Sequence, residues 1–257
     1  MVAAPQSFLV VTWDKLPDDF ILDDEPVDNI NQPAIAAALT ESLELAGWLP
    51  AQSLVMTNYG LCATVNGKTV VKAPDWGYVP HIRVPREAVI RSYTPQLQGD
   101  FPAIVMEFLS DTEGGEYSVK PTYPPGKWLF YEQVLRVPNY VIFDPASGLL
   151  EVYRLDPAGQ YRLSPANNQQ RHWIDELDLA LGLWQGSREN RTGPWLRWWT
   201  EQGDLLPWGK EQAEQERQRA GQEHQRAEQE RQRAEQERQR AERLAAQLRA
   251  AGLEPEE

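Results

Sequence analysis

A single cysteine, Cys62, stands among the 257 residues, so the chain cannot close an internal disulfide. Histidine is almost as scarce, and His81, His172 and His224 are too scattered to form a Cys/His zinc cluster. No apolar stretch approaches the ~20 residues that a membrane helix requires, and the amino terminus has no basic segment leading into an apolar run. Basic residues are outnumbered by acidic ones, 25 to 38, and the resulting formal charge of -13 excludes a protein that coats nucleic acid by bulk electrostatics. Together these shortages set the expectation of a cytoplasmic protein with no membrane contact. Any approach to DNA must be local and salt-sensitive.

Aromatic residues are plentiful instead: ten Trp and nine Tyr within a 41% hydrophobic composition supply a packed core and exclude a wholly disordered chain. All ten Trp lie before residue 210, and the composition changes there, dividing the chain into a domain at 1–209 and a charged helix at 210–257. The second part repeats AEQERQR, which places Ala213, Ala220, Ala227, Ala234 and Ala241 in heptad register. Glu and Arg recur three and four apart (Glu214 and Arg217, Glu228 and Arg231, Arg219 and Glu223), so the helix is largely self-supporting. Continuous from Lys210 to Ala251, it would reach roughly 63 Å at 1.5 Å per residue. A coiled coil wants apolar side chains at both a and d. Here one Ala per heptad serves until Leu244, Leu248 and Leu253 appear. The readings are a solvated single helix, or a weak coiled coil serving a homodimer or docking a protein partner. With 10 basic and 12 acidic residues the tail is no DNA-binding arm, and -11 remains on residues 1–209.

Within the first part, Leu16 to Asn31 reads as an irregular lead-in rich in Asp and Pro. Residues Gln32 to Ala46 then place Ile35, Leu39, Leu43 and Ala46 on one helical face, with Gly47 as the stop. Strand-like runs follow at Ser53 to Thr57, Leu61 to Val65, Thr69 to Val71, Ala103 to Leu109, Tyr140 to Phe143 and Leu149 to Leu155. Asn66-Gly67 marks a hairpin, and Asp144 to Gly148 a turn. The spacing predicts a second helix at Lys127 to Leu135, crossing between two strands. These elements add up to an α/β domain with a mixed sheet.

Two carboxylates adjoin apolar strands: Asp75 in VVKAPDWGYVP and Glu107 in FPAIVMEFLSD. A charge there must be paired, hydrogen-bonded or metal-bound, since burying it bare costs several kcal/mol. Two such groups, with water and a phosphate oxygen completing the shell, suit Mg2+. A lysine to position the attacking water would complete the equipment for phosphodiester hydrolysis, and Lys127 and Lys120 are the candidates. Structural alternatives stand beside these. Asp75 follows Pro74 and precedes Trp76-Gly77, as a turn or cap residue would, and Glu107 could form an ion pair with Lys72, Arg83 or Arg91 at a sheet edge. The Trp-rich run WLRWWTEQGDLLPW offers stacking surface, or packs the closing edge of the domain.

The ordered series APDWGYV, VMEFLSDT, GKWLFYEQVLRVPNYVIFDP and LLEVYRL resembles the Uma-type (Uma two) restriction endonuclease family of the PD-(D/E)XK nuclease superfamily, over most of residues 20–200. The resemblance implies a restriction-endonuclease-like mixed sheet flanked by helices, with the long charged helix following. It implies Asp75 and Glu107 as ligands of Mg2+ (or Mn2+) and Lys127, at the head of the K-x-x-x-Y element ending in Tyr131, as the catalytic lysine. Lys120 is a second claimant to that role, and Glu41 or Glu44, on the first helix, a candidate accessory to the metal. The chain departs from the pattern in three places. Leu109 occupies the superfamily's commonest lysine position, the segment between Glu107 and Lys127 is long, and Arg136 replaces a common glycine.

The reading that follows is a metal-dependent endonuclease hydrolysing DNA, contacted through a narrow strip from Lys68, Lys72, Arg83, Arg86, Arg91, Lys120 and Lys127. The alternative is a catalytically inactive nuclease-fold module for binding or assembly, reaching a protein partner through the C-terminal helix.

Overall fold

The computed structural model describes residues 9–20, 30–110 and 115–251, and the chain divides into two units, Met1–Leu206 and Pro207–Glu257. Part of the lead-in read at Leu16 to Asn31, and Leu253 of the tail, lie outside the described residues.

The first unit is built around strands whose residues are apolar on both faces. In β7 (Ile104–Phe108) and β8 (Asn139–Asp144) nearly every residue is buried, as expected for the interior of a sheet covered on both sides. These two run parallel, with Ile104 opposite Asn139 and Phe108 opposite Phe143. A parallel pair needs a crossover, and the segment carrying α2 (Lys127–Leu129) provides it. Around this pair the sheet is antiparallel: β2 (Leu54–Met56) pairs with β5 (Trp76–Val79), β5 with β7, β8 with β9 (Leu149–Leu155), and β9 with β10 (Tyr161–Leu163). The strand order β10-β9-β8-β7-β5-β2 is therefore that of a mixed sheet.

Two smaller sheets flank it. β3 (Gly60–Val65) and β4 (Lys68–Lys72) form a hairpin, joined by β1 (Val11–Thr12) and, parallel to β3, by β6 (Ser92–Tyr93). The hairpin turn is Asn66-Gly67, both at positive φ (51° and 74°), which is why that dipeptide suits it. The third sheet is antiparallel, β11 (Arg171–Ile174), β12 (Leu179–Arg188) and β13 (Arg191–Trp199). Its Trp195, Trp198 and Trp199 are buried, and Trp198 lies 5.9 Å from Trp76. These three Trp of the run thus pack within the first unit.

α1 (Asn31–Leu45) lies against β13 and buries Ile35, Leu39 and Leu43. Two long-range bonds fix it beside β5 and β7: the Gln32 amide donates to the Phe108 carbonyl (2.6 Å) and the Trp76 indole N–H to the Thr40 hydroxyl (3.0 Å). On the opposite face, Val105, Tyr140 and Ile142 pack with Leu129, Phe130, Tyr131 and Val134 from the α2 segment. The helix expected at Lys127 to Leu135 is α-helical only as far as Leu129. Phe130–Val134 forms a π-helical turn, closed by the Leu135 N–H bonding the Phe130 carbonyl at 2.9 Å. Such wide turns are rare and concentrate at functional sites. The architecture is mixed α/β and consistent with a restriction-endonuclease-like fold.

The second unit is α3 (Gly209–Ala250), a helix of 42 residues. The Glu211 carboxylate accepts the Trp208 N–H at its start. Along its length Arg231 pairs with Glu228 at 3.0 Å, and Arg238 with both Glu235 and Glu242 at 3.6 Å. Among the described residues no helix is long and apolar enough to cross a membrane.

Candidate active site

Antiparallel pairing of β5 and β7 sets Trp76 opposite Met106, and one residue further in that register Asp75 stands across from Glu107. Pro74 precedes Asp75 and has no N–H to donate, and β5 begins at Trp76, just after the carboxylate. Asp75 Oδ2 accepts the backbone N–H of Phe108 at 2.6 Å, a contact spanning 33 residues and unlike a local turn or cap. Glu107 is fully buried, and β7 lies between β5 and β8, away from either sheet edge.

The α2 segment covers this carboxylate. Lys127 Nζ donates to Glu107 Oε2 at 3.0 Å, and the Tyr131 hydroxyl donates to Glu107 Oε1 at 2.9 Å. Residues four apart share a helix face, so the K-x-x-x-Y spacing delivers both donors to the two oxygens of one carboxylate. Lys127 Nζ also reaches Glu116 Oε1 at 3.2 Å. Glu116 is buried in the loop before α2, where the Tyr140 hydroxyl holds its backbone carbonyl at 2.8 Å. Arg83 and Arg91, considered as structural partners for Glu107, are engaged elsewhere. Arg83 pairs with Asp100 at 3.5 Å, and Arg91 binds the carbonyls of Pro17, Asp18 and Phe20.

Burial governs the electrostatics. It pushes Glu107 up to about 8 from an ordinary 4.5, aided by the Asp75 charge and opposed by Lys127. It likewise pushes Asp75 up to about 6, opposed by the Phe108 N–H and Lys127 and aided by Glu116. At Lys127 burial disfavours the ammonium, but Glu107 and Glu116 outweigh it, and the amine stays charged above its ordinary range. Burial holds Tyr131 well above the ordinary phenol value, so it serves Glu107 as a hydroxyl donor.

Of the residues singled out in the sequence, Asp75, Glu107 and Lys127 come together. Lys120 is exposed and makes no ion pair among the described residues, while Glu41 on α1 pairs with Arg188 at 2.5 Å. Two participants went unassigned in the sequence. Tyr131 belonged to the K-x-x-x-Y element, whose spacing was the signal for it. Glu116 sits in a loop with no periodicity, and nothing local marks it.

The family model of Uma2, described as "Putative restriction endonuclease", matches residues 22–189. The chain belongs to this family. Uma2 proteins fall within the PD-(D/E)XK nuclease superfamily, and the matched span contains every member of the cluster around Glu107. No curated protein matches the chain significantly. For this Uma2 chain the site's own chemistry bears on whether a divalent ion fits. Among the described residues no three His, Cys, Asp or Glu side chains are grouped so as to hold a metal by themselves. The donors side by side are two carboxylates, hard oxygen ligands each raised by burial, and a cation between them would relieve that cost. This donor set fits Mg2+, which keeps several waters and needs only one or two protein carboxylates.

Proposed function

We propose that the protein is a metal-dependent endonuclease that hydrolyses DNA phosphodiester bonds, with Asp75 and Glu107 holding Mg2+ or Mn2+ and Lys127 acting beside them. The observation that carries this reading is the convergence of an aspartate and a glutamate on neighbouring strand ends with a lysine amine 3.0 Å from the glutamate. The ion, when bound, supplies charge stabilisation at the phosphate and lowers the pKa of attacking water. The rest falls to the protein. Asp75 is held by the Phe108 N–H, which fixes Oδ2, and its carboxylate would be a ligand of the ion. Tyr131 orients the Glu107 carboxylate from behind. Lys127, a quarter exposed and positively charged, faces solvent from which water and a phosphate approach, and it offsets negative charge developing there. A net -11 on residues 1–209 opposes approach to DNA, so binding rests on local basic side chains such as Lys127 and weakens as salt screens them.

The competing reading, a nuclease-fold module without catalysis, draws support from the bonding of both Glu107 oxygens by Lys127 and Tyr131, a satisfied buried ion pair. Nicking of supercoiled plasmid at low salt with Mg2+ or Mn2+ separates the two. Activity that disappears in folded Asp75→Ala and Lys127→Ala variants supports the nuclease. Absence of cleavage and of metal binding in the folded wild type supports the module.

A further inference from the structure

The third carboxylate of the cluster has no part in the mechanism above. Glu116 is buried, its carbonyl is fixed by Tyr140, and its carboxylate is 3.2 Å from the ammonium that also binds Glu107. The loop that carries it folds back on α2. The Gly126 N–H bonds the Lys120 carbonyl at 3.0 Å, and Gly126 itself packs so closely on Ser118 that a side chain there would strike the Ser118 carbonyl. Glu116 is therefore held by its own carbonyl and by the packing of the segment that follows it.

Charge explains what such a residue would do. Once all are ionised, as a bound metal requires, the three carboxylates Asp75, Glu107 and Glu116 with the one ammonium that pairs with Glu107 and Glu116 carry two net negative charges, the complement of one divalent cation. With Asp75 and Glu107 alone, one Lys127 and one divalent ion would leave the cluster positive, and the ammonium and the cation would compete for Glu107. We propose that Glu116 is a positioning residue: it anchors the Lys127 ammonium so that Glu107 is released to a divalent cation while the lysine stays at the site. This rests on the metal-dependent reading above, but it concerns the lysine's second anchor, which that reading does not require. Partners of this kind beside metal ligands typically change metal affinity or activity by roughly 10- to 100-fold.

The test is a double-mutant cycle on Mn2+ binding by the full chain, measured calorimetrically, with Glu116→Gln, Lys127→Ala and the combined variant, each checked for native melting. Glu116→Gln is expected to weaken Mn2+ binding about 10-fold or more, and Glu116→Asp to recover part of it. In the Lys127→Ala background the same change should have far less effect, because Glu116 acts through the ammonium. An equal loss in both backgrounds would make Glu116 a direct ligand and overturn the proposal, as would no loss in either. Wild-type protein that binds no Mn2+ would overturn it too. In plasmid nicking, Glu116→Gln should lower kcat with KM for DNA unchanged. Mn2+ binding that obeys the cycle in a protein that never nicks DNA would retain the anchor and reject the nuclease, whereas nicking with no coupling would do the reverse.

Discussion

Lys127 and Tyr131, one helical turn apart, end on the two oxygens of the same carboxylate, that of Glu107. The π-helical turn begins between them, at Phe130, and the parallel β7–β8 crossover puts them over the strand. A motif five residues long thus joins a helix to a strand 20 residues upstream, and the first two predictions below depend on what Glu107 carries, a proton or a charge.

Replacing Lys127 by Met removes the counter-charge while keeping much of the stem's packing. An uncompensated buried charge is costly, about 3–5 kcal/mol in tight sites. Lys127 is a quarter exposed, so water reaches the pair and the loss should be nearer ~1–3 kcal/mol at pH 8.5. At pH 5.5 Glu107 holds a proton and needs no partner, and the same variant should lose less than ~1 kcal/mol. Urea unfolding at the two pH values measures the difference. An equal loss at both would mean that Glu107 is charged throughout.

Metal-free protein should lose stability as pH rises. Asp75 moves from an ordinary 3.8 in the unfolded chain to about 6, and Glu107 from 4.5 to about 8, both raised chiefly by burial. Between those limits the folded state binds more protons than the unfolded one, so stability is fully present below about pH 4 and declines through pH 6 and then pH 8. A divalent ion reverses the preference, since it requires both carboxylates ionised. Melting temperatures in chelator should therefore fall from pH 5 to 8.5, and the increment from added Mn2+ should grow over the same range. A metal-free Tm that climbs across this interval would contradict the assignment.

Much of this fold follows from patterns that a sequence displays. α1, the Asn66-Gly67 hairpin, β7, β8 and β9 follow from helical spacing, turn chemistry and apolar runs, and the Asp144 to Gly148 turn closes by a Gly148 N–H bond to the Asp144 carbonyl at 2.8 Å. β5 is hidden because Trp76, Gly77, Tyr78 and Val79 are all buried, which erases alternation, and Gly77 weakens any strand signal. β11 to β13 gain their pairing from one another and from α1, a tertiary effect that local propensity does not contain. At the site, Asp75, Glu107 and Lys127 stand out through charge beside apolar runs and through family resemblance, but Glu116 depends on how a loop folds. Arg136, where the family commonly has glycine, sits at φ 51° after the π turn, with the Val137 N–H bonding the Tyr131 carbonyl at 2.9 Å. The glycine preference there is a left-handed helix exit.

The tail should behave as a lone helix. One Ala per heptad gives no knobs at two core positions, whereas each of the pairs at Glu228 with Arg231 and at Glu235 with Arg238 contributes a few tenths of a kcal/mol, about 0.3–0.5. A peptide of residues 209–251 should be substantially helical by circular dichroism, independent of concentration, and should lose helicity as NaCl screens the pairs. Helicity that increases with peptide concentration would point to a coiled coil instead.

Gly126→Ala tests how the loop and α2 hold the lysine. Gly126 has an ordinary extended backbone (φ -64°, ψ 158°), so alanine meets no torsional penalty. The obstacle is space, since the added methyl would strike the Ser118 carbonyl, which also accepts the Leu129 N–H at 3.4 Å. Relief requires the loop to move off α2, taking Glu116 away from Lys127. The expected cost is about 1–3 kcal/mol of stability, in the range of overpacking. Nicking should fall further than stability explains, at temperatures where the variant is fully folded. Ser118→Gly in the same chain removes the side chain but not the carbonyl, so it should restore little. An alanine variant with wild-type melting and wild-type nicking would show that the loop yields without disturbing Lys127, and would separate the close packing at Gly126 from the site.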